Sequence, residues 1–402
     1  MEKVRFGIIG VGNMGSSHAK KFLSGRVENG VLTAICDLKS AKTDKILAME
    51  FDGAKDVAVF TDYKEMLASG LCDAVIVAVP HYDHPRLTID ALNAGMHVIC
   101  EKPAGVYTKQ VKEMNAVAAA SDKLFTMMFN QRTNCVYRKM RDMIQNGELG
   151  EIKRVNWIIT TWYRSQSYYD SGDWRATWRG EGGGVLFNQC PHQLDLVQWV
   201  VGKLPKYVNG FCKYGKWHDI EVEDDVTAYM EYANGATGVF ITSTADAPGT
   251  NRLEILGDKG QLICEYFGKE FGTESGKRDK LTFIKNSISE REFNKTCTAN
   301  FGAPEKEVIN VETDGKNPQH VGIFNNLANA ILGIEPLFVD GKEGINGVEL
   351  MDAMQLWGWL KEEVTLPIDD DLYWEELQKK IATGRTKEAV ISNVVTDMSN
   401  TF

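Results

Sequence analysis

Two basic side chains in this 402-residue chain stand where they could act on an alcohol. Lys102, in Glu101-Lys102-Pro103, directly follows the apolar run 97–100, which reads as a buried strand. A lysine at the carboxyl end of a parallel strand sits where open α/β sheets bind their ligands. From there it could hydrogen-bond a hydroxyl and stabilise the alkoxide that develops as the proton leaves. Glu101 could orient the lysine or hold a ribose. His192 closes the stretch Gly182-Gly183-Gly184-Val185-Leu186-Phe187-Asn188-Gln189-Cys190-Pro191-His192. Pro191 suits the first turn of a helix, so His192 falls near a helix N-terminus, where the dipole favours a neutral imidazole. A neutral imidazole can take a proton from an alcohol. Asp195 follows three residues later and reads as a further helix residue or a site residue.

A second motif says what would take the other half of such a reaction. Gly10-Val11-Gly12-Asn13-Met14-Gly15 follows the apolar run 4–9 and opens a helical pattern. The glycines permit a tight turn, close backbone approach to a pyrophosphate, and close helix–strand packing. The helix N-terminus supplies N–H donors. Asp37 ends the second apolar run, about 20 residues on, where an acid bonds the ribose 2′-hydroxyl and repels a 2′-phosphate. NAD is therefore favoured over NADP, with Lys39 leaving some tolerance for the latter. A lysine ammonium beside a cationic nicotinamide ring is disfavoured, which adds to the interest of Lys102. Pro80-His81-Tyr82-Asp83-His84 follows the fourth run and should flank the nicotinamide. The expected cofactor residues are thus Gly10, Gly12, Asn13, Met14, Gly15, Asp37, Pro80, His84, Glu101 and Lys102. His81, Asp83 and His84 together raise the idea of a metal, but no further ligand follows at metal-site spacing, and no metal is expected.

The elements that must position these groups are legible as patterns. Apolar runs at 4–9, 31–36, 57–60, 74–79, 97–100 and 125–129 read as strands. Helical patterns lie between most of them, at 14–23, 41–50, 63–68, 85–94 and 109–120, with Asp62 and Thr108 as expected caps. Six such alternations imply an α/β Rossmann domain with a parallel sheet, over 1–128. Beyond it the pattern changes. Alternating segments at 152–163, 207–213, 226–232, 237–243, 252–255 and 261–265 imply a mostly antiparallel open sheet. Asn234-Gly235 is a hairpin signal. Helical patterns recur at 136–146, 191–201, 319–332 and 347–363, giving an α+β second domain over 129–402. Residues 266–316 read as loops and irregular strands, and the stretch from about 385 as an arm.

A net charge of −10 argues against nucleic acid or an anionic membrane as the main partner. No apolar run approaches a membrane span, and residues 1–6 lack a signal-peptide core. The eight cysteines form no CxxC pair, which suggests reduced thiols and a cytoplasmic protein. Trp162-Tyr163-Arg164, Tyr168-Tyr169 and Trp174-Arg175-Ala176-Thr177-Trp178-Arg179 form an aromatic, arginine-rich stretch before the glycine run. Aromatic faces with guanidinium forks suit a sugar or aryl ligand; an oligomer interface or core packing is the other reading. Gln131-Arg132 could do either job.

On Gly10–Gly15, Asp37, residues 80–84, Glu101-Lys102-Pro103, Trp178-Arg179 and residues 182–195, the chain resembles the Gfo/Idh/MocA family over essentially its whole length. This is the family of glucose–fructose oxidoreductase and inositol dehydrogenase. The resemblance implies that Lys102 and His192 act on a secondary alcohol of a sugar or cyclitol while NAD(P) takes the hydride. Many members have an aspartate four residues before the histidine; this chain has Asn188, which cannot stabilise a histidinium by charge but can bond a substrate hydroxyl. The aromatic stretch is similar to that of members that oxidise glycosides, often at C3. Asn188, Trp162, Tyr163, Arg164, Trp178 and Arg179 are then the expected substrate contacts. Two alternatives stay open: glycoside cleavage through transient C3 oxidation and elimination, and a non-enzymatic NAD-binding sensor. A homo-oligomer is expected, since members commonly pair through the open sheet.

Overall fold

The computed structural model describes residues 3–266, 279–385 and 387. The chain divides into two compact units, one of Met1–Asn130, Gly180–Gly182 and Pro318–Val348, the other of Gln131–Arg179, Gly183–Asn317 and Glu349–Phe402. This division is more interleaved than a single cut at residue 128. Its cause is visible inside the first unit. The helix Gln319–Ile331 brings Phe324 against Phe22 (ring centroids 5.0 Å apart) and edge-on to His18 (5.1 Å). Asn325 and Asn329 accept from Glu28 N (2.9 Å) and Asn29 Nδ2 (2.7 Å). A helical period reveals an apolar face but not which distant segment will cover it.

The first unit is built on six parallel strands: β1 (Val4–Ile9), β2 (Gly30–Cys36), β3 (Ala58–Phe60), β4 (Ala74–Val77), β5 (His97–Cys100) and β6 (Phe125–Met127). Their spatial order is β3-β2-β1-β4-β5-β6. Nearly every residue of β1, β4 and β5 is buried, as strands covered on both faces should be. The order reverses between β1 and β4, the topological switch where doubly wound sheets open a ligand crevice at their carboxyl ends. Gly10, Pro80 and Lys102 follow the carboxyl ends of β1, β4 and β5. Asp62 caps its helix by accepting Lys64 N (2.8 Å). Thr108 does not take the cap position assigned to it; it is the first helical residue, and Tyr107 precedes it as the cap.

The second unit holds nine strands: β7 (Ile152–Ile159), β8 (Tyr207–Tyr214), β9 (Glu223–Glu231), β10 (Thr237–Ser243), β11 (Asn251–Gly257), β12 (Gly260–Tyr266), β13 (Asp279–Asn286), β14 (Lys306–Asn310) and β15 (Val364–Thr365). They lie in the order β14-β13-β12-β11-β7-β10-β9-β8-β15. All neighbours are antiparallel except β7 and β10. The Asn234-Gly235 turn joins β9 to β10 with Gly235 at φ +79°. The helix Cys135–Gln145 sets Tyr137 beside the buried Trp157 of β7 (5.9 Å), and Phe240 of β10 meets that indole edge-on (6.3 Å). The other side of the sheet carries Ile158 (36% exposed), Phe211 (48%) and Val308 (68%).

Where loops and irregular strands were expected, β13 and β14 extend the sheet, and a helix Glu290–Thr296 capped by Ser289 lies between them. Every described side chain of β14 is exposed or half-exposed, so this edge strand has no buried face to impose an alternating pattern. Residues 267–278, and the expected arm except Arg385 and Lys387, lie outside the described residues. All eight cysteines are free thiols, seven of them buried. Among the described residues no helix is long and apolar enough to cross a membrane.

Candidate active site

The first unit presents the glycine motif, Asp37 and the β5 end. Gly10 has φ +91°, and a Cβ there would collide with the Ala78 carbonyl beyond β4. A Cβ on Gly15 would strike the Gly10 carbonyl. These two glycines close the strand–helix junction. Gly12 differs, because nothing lies within 4 Å of where its Cβ would be. That open space lets a ligand's pyrophosphate approach the main chain closely, beside a helix Asn13–Leu23 whose N-cap, Gly12, makes no side-chain hydrogen bond. Asn13 and Met14 form the first turn of that helix. Asp37, buried at the end of β2, accepts Val11 N (3.0 Å) and Lys42 Nζ (3.2 Å) on Oδ2, and Lys39 N (3.0 Å) on Oδ1. The cation on Asp37 is therefore Lys42, while Lys39 contributes its main chain. The open glycine, the uncapped helix end and the carboxylate together fit a dinucleotide.

At the end of β5, the buried Glu101 bonds His18 Nε2 through Oε1 (2.6 Å) and accepts its neighbour Lys102 N on Oε2 (3.2 Å). Burial pushes the Glu101 carboxyl up, but the His18 bond and the charges of His18, His320 and Lys102 outweigh it and hold the group at about 2. An acid whose folded pKa is depressed adds stability above its ordinary pKa of 4.5 and loses it as pH falls toward 2. Equilibrium unfolding is therefore expected to show a Glu101-dependent loss of about 3 kcal/mol between those values. Glu101→Gln should flatten that limb, as read by urea titrations at successive pH values.

His84 was expected to meet the cofactor. Its ring nitrogens instead face Pro103 O (2.7 Å) and Val79 O (2.8 Å), joining the loop after β4 to the loop after Lys102. Burial pushes its pKa down, while the Pro103 and Val79 carbonyls pull it the other way. His81 Nδ1 bonds Glu181 O (3.0 Å) in similar fashion. Pro80 forms the turn between β4 and this histidine loop.

The second unit carries His192, with Pro191 at the start of the helix Pro191–Val201 and the histidine buried in its first turn. Before it, a short helix Val185–Asn188 ends at Asn188. Asn188 Oδ1 accepts Tyr168 Oη (3.0 Å) and Gln189 Nε2 (3.0 Å), and Tyr168 Oη accepts Arg175 Nη1 (2.6 Å). The Tyr168 ring also stacks with two guanidiniums, Arg175 at 4.4 Å and Arg164 at 5.2 Å. The aromatic stretch thus reaches Asn188 through Tyr168 and Arg175, which were not among the expected contacts. The Trp178 ring, expected as a substrate contact, is instead buried against Tyr214 (5.7 Å) and Trp359 (5.6 Å). Trp162 is buried too, Arg164 is half-buried and bonds the Tyr163 carbonyl (2.9 Å), and Tyr163 (53% exposed) and Arg179 lie at the surface.

Asp195 forms a bidentate pair with Arg132, Oδ2 to Nε at 2.7 Å and Oδ1 to Nη2 at 2.6 Å, each residue 1% exposed. Gln131 accepts Gln193 Nε2 (2.9 Å). Both residues of Gln131-Arg132 therefore brace the His192 helix. Glu223 and Asp224 were missed altogether. Their only signal is a cluster of four acids, Glu221, Glu223, Asp224 and Asp225, at the start of β9.

Two models of a single family match this chain. One, an oxidoreductase family with an NAD-binding Rossmann fold, covers residues 4–129; the other, a GFO/IDH/MocA C-terminal domain, covers 137–263. Myo-inositol 2-dehydrogenase of Thermotoga maritima is 24% identical over 311 residues, 70% of this chain and 88% of that protein. D-glucoside 3-dehydrogenase of Escherichia coli is 29% identical over 271 residues, 63% and 73% respectively. Among solved structures, the WlbA dehydrogenase from Bordetella pertussis with NADH and UDP-GlcNAcA is similar at a TM-score of 0.74 and 24% identity, covering 92% of this chain and 99% of that one. Levoglucosan dehydrogenase with NADH and levoglucosan gives 0.73 at 18%, covering 91% and 100%. With both matches following the two units' sheets and together spanning well over half its length, the chain belongs to the Gfo/Idh/MocA oxidoreductases and carries their NAD-binding Rossmann domain.

Proposed function

We propose that the protein oxidises a secondary hydroxyl of a sugar, glycoside or cyclitol, at C3 in the case of a glycoside. One observation carries the reading: a member of this family has a lysine just beyond β5 and a histidine in the first turn of its helix. The named relatives, an inositol 2-dehydrogenase and a glucoside 3-dehydrogenase, support the substrate class. In this mechanism His192 accepts the hydroxyl proton as general base. Lys102 hydrogen-bonds the same oxygen and stabilises the negative charge it gains. NAD, when bound, supplies the nicotinamide carbon that takes the hydride. Gly10, Gly12, Gly15 and the helix start at Asn13 and Met14 hold the pyrophosphate, and Asp37 the ribose. Asn188, fixed by Tyr168 and Gln189, positions a neighbouring hydroxyl, with Tyr163, Arg164 and Arg179 as further contacts.

A panel of monosaccharides, glycosides and inositols with NAD, read by NADH absorbance and product NMR, tests this. A keto-sugar formed with stoichiometric NADH is the expected result. Aglycone release without net NADH would establish cleavage instead, and intact NAD binding without turnover of any member would sink the proposal. Asp37→Ala is expected to raise KM for NAD by about 10-fold or more through the lost charged hydrogen bond, and to narrow the preference over NADP. Initial rates with the two cofactors measure both effects. Exposed Ile158 and Phe211, which share one register row through Ile241 and Thr227, support a homo-oligomer formed through the sheet, for which light scattering gives the stoichiometry.

A further inference from the structure

Glu223 and Asp224 open β9, and neither exposes any surface. Each carboxylate is filled by main-chain donors. Asp224 accepts the N–H groups of Lys216 (3.0 Å), Trp217 (2.8 Å) and His218 (3.1 Å). Glu223 accepts those of Gly184 (2.7 Å) and Leu186 (3.2 Å) on Oε1, and the Gln355 amide (3.1 Å) on Oε2. Gly184 lies so close that a Cβ there would collide with the Glu223 carbonyl oxygen. The main chain of Glu223 thus shapes the glycine run, and its side chain holds it.

Hydrogen bonds run on from this anchor. Asn188 N donates to Gly184 O (3.0 Å), Cys190 N to Val185 O (2.9 Å), and Leu194 N to Cys190 O (3.0 Å). Asn188 and His192 both lie on the segment so tied. A carboxylate is a costly anchor in such a place, since burial works against its charge. Glu223 is correspondingly pushed up to about 7, although the amides of Gly184 and Leu186 and the Gln355 side chain pull the other way. An apolar side chain would fill the space at lower cost but would leave two buried N–H groups unmet.

We propose that Glu223 is a positioning residue, whose carboxylate fixes the 184–192 segment so that Asn188 and His192 are held in their working places. The proposal rests on the dehydrogenase reading above. A displacement of about 1 Å in a catalytic group can cost about 100-fold in rate, so the anchor's effect belongs in kcat.

The test compares Glu223→Ala and Glu223→Gln in the full chain. Rates are taken per active site, counted by NADH titration, and amide exchange is followed in peptides covering 183–194. Glu223→Ala is expected to lower kcat by about 10- to 100-fold, with KM for NAD unchanged and protection lost in that segment. The glutamine oxygen still accepts Gly184 and Leu186 N–H, so Glu223→Gln should return kcat to within about threefold and restore protection. A mere structural brace would cost folded protein but leave kcat per site at the wild-type value. That result, or equal impairment of the two variants, overturns the proposal. Should Glu223→Ala fail to fold, Gly184→Ala strains the same contact from the other side and should show the same loss in kcat alone; wild-type kcat there also overturns it. If the wild-type protein turns over no sugar, the dehydrogenase reading falls, while unchanged exchange in Glu223→Ala separately disproves the anchor.

Discussion

Lys102→Met is expected to lower kcat by about 100- to 1000-fold while leaving NADH affinity within about threefold of wild type. Methionine keeps the length of the side chain but cannot donate a hydrogen bond or offset charge on an alkoxide. Its effect should therefore fall on the step in which that charge develops, not on cofactor binding, to which the glycine motif and Asp37 contribute separately. His192→Ala should cost about 100- to 10,000-fold by removing the base, and a rise in pH should partly compensate by raising the supply of hydroxide. On the proposed mechanism the two groups act on one oxygen, so the double variant should lose far less than the product of the single losses. Initial rates, with NADH fluorescence titration as the control for folding, decide the matter. Near-normal turnover by Lys102→Met would refute the mechanism, and strictly multiplicative losses would show that the two residues do not share a step.

The largest expected loss of stability is at Asp195. Its carboxylate meets Arg132 in a two-point contact, and the guanidinium also lies over the Trp199 ring at 5.2 Å. Asp195 further accepts Gln198 Nε2 (3.2 Å). Asp195→Ala strips the counter-charge from a guanidinium with 1% exposure, and a broken buried pair of this kind costs about 3–5 kcal/mol. That is a large share of the total stability of an ordinary domain, about 5–15 kcal/mol. Urea unfolding should register it as a lower midpoint. Asp195→Asn keeps an acceptor and should lose less. Arg132→Met combined with Asp195→Leu should recover much of the loss, because apolar groups of similar volume can replace a buried pair at little net cost. If Asp195→Ala unfolds at the wild-type urea midpoint, the pair contributes nothing that the fold depends on.

The sequence was most informative where chemistry depends on neighbours in the chain. The glycines of Gly10–Gly15, the lysine two places beyond the β5 run, and Pro191 ahead of His192 each express a relation spanning a few residues. Strand, turn and helix geometry convert such spacings directly into position, which is why the NAD-binding Rossmann unit was legible and why Lys102 and His192 stood out as candidates. Burial on both faces also made the central strands stand out, whereas the exposed edge strand β14 left little pattern to read.

What remained hidden is the set of partners that meet across long stretches of chain. Glu223 reaches Gly184 from 39 residues away, Arg132 reaches Asp195 from 63, and Tyr168 reaches Asn188 from 20. His84 and Trp178 have the residue types of ligand contacts, yet their surroundings turn one into a brace between loops and the other into core. Residue type and periodicity state what a side chain can bond and which face it occupies. Which group it then bonds depends on the close-packed interior, where volumes and donors from separate segments must be satisfied together. Local order therefore determined that this chain has an NAD-binding domain and a lysine and a histidine suited to an alcohol, and tertiary packing alone decided what holds them in place.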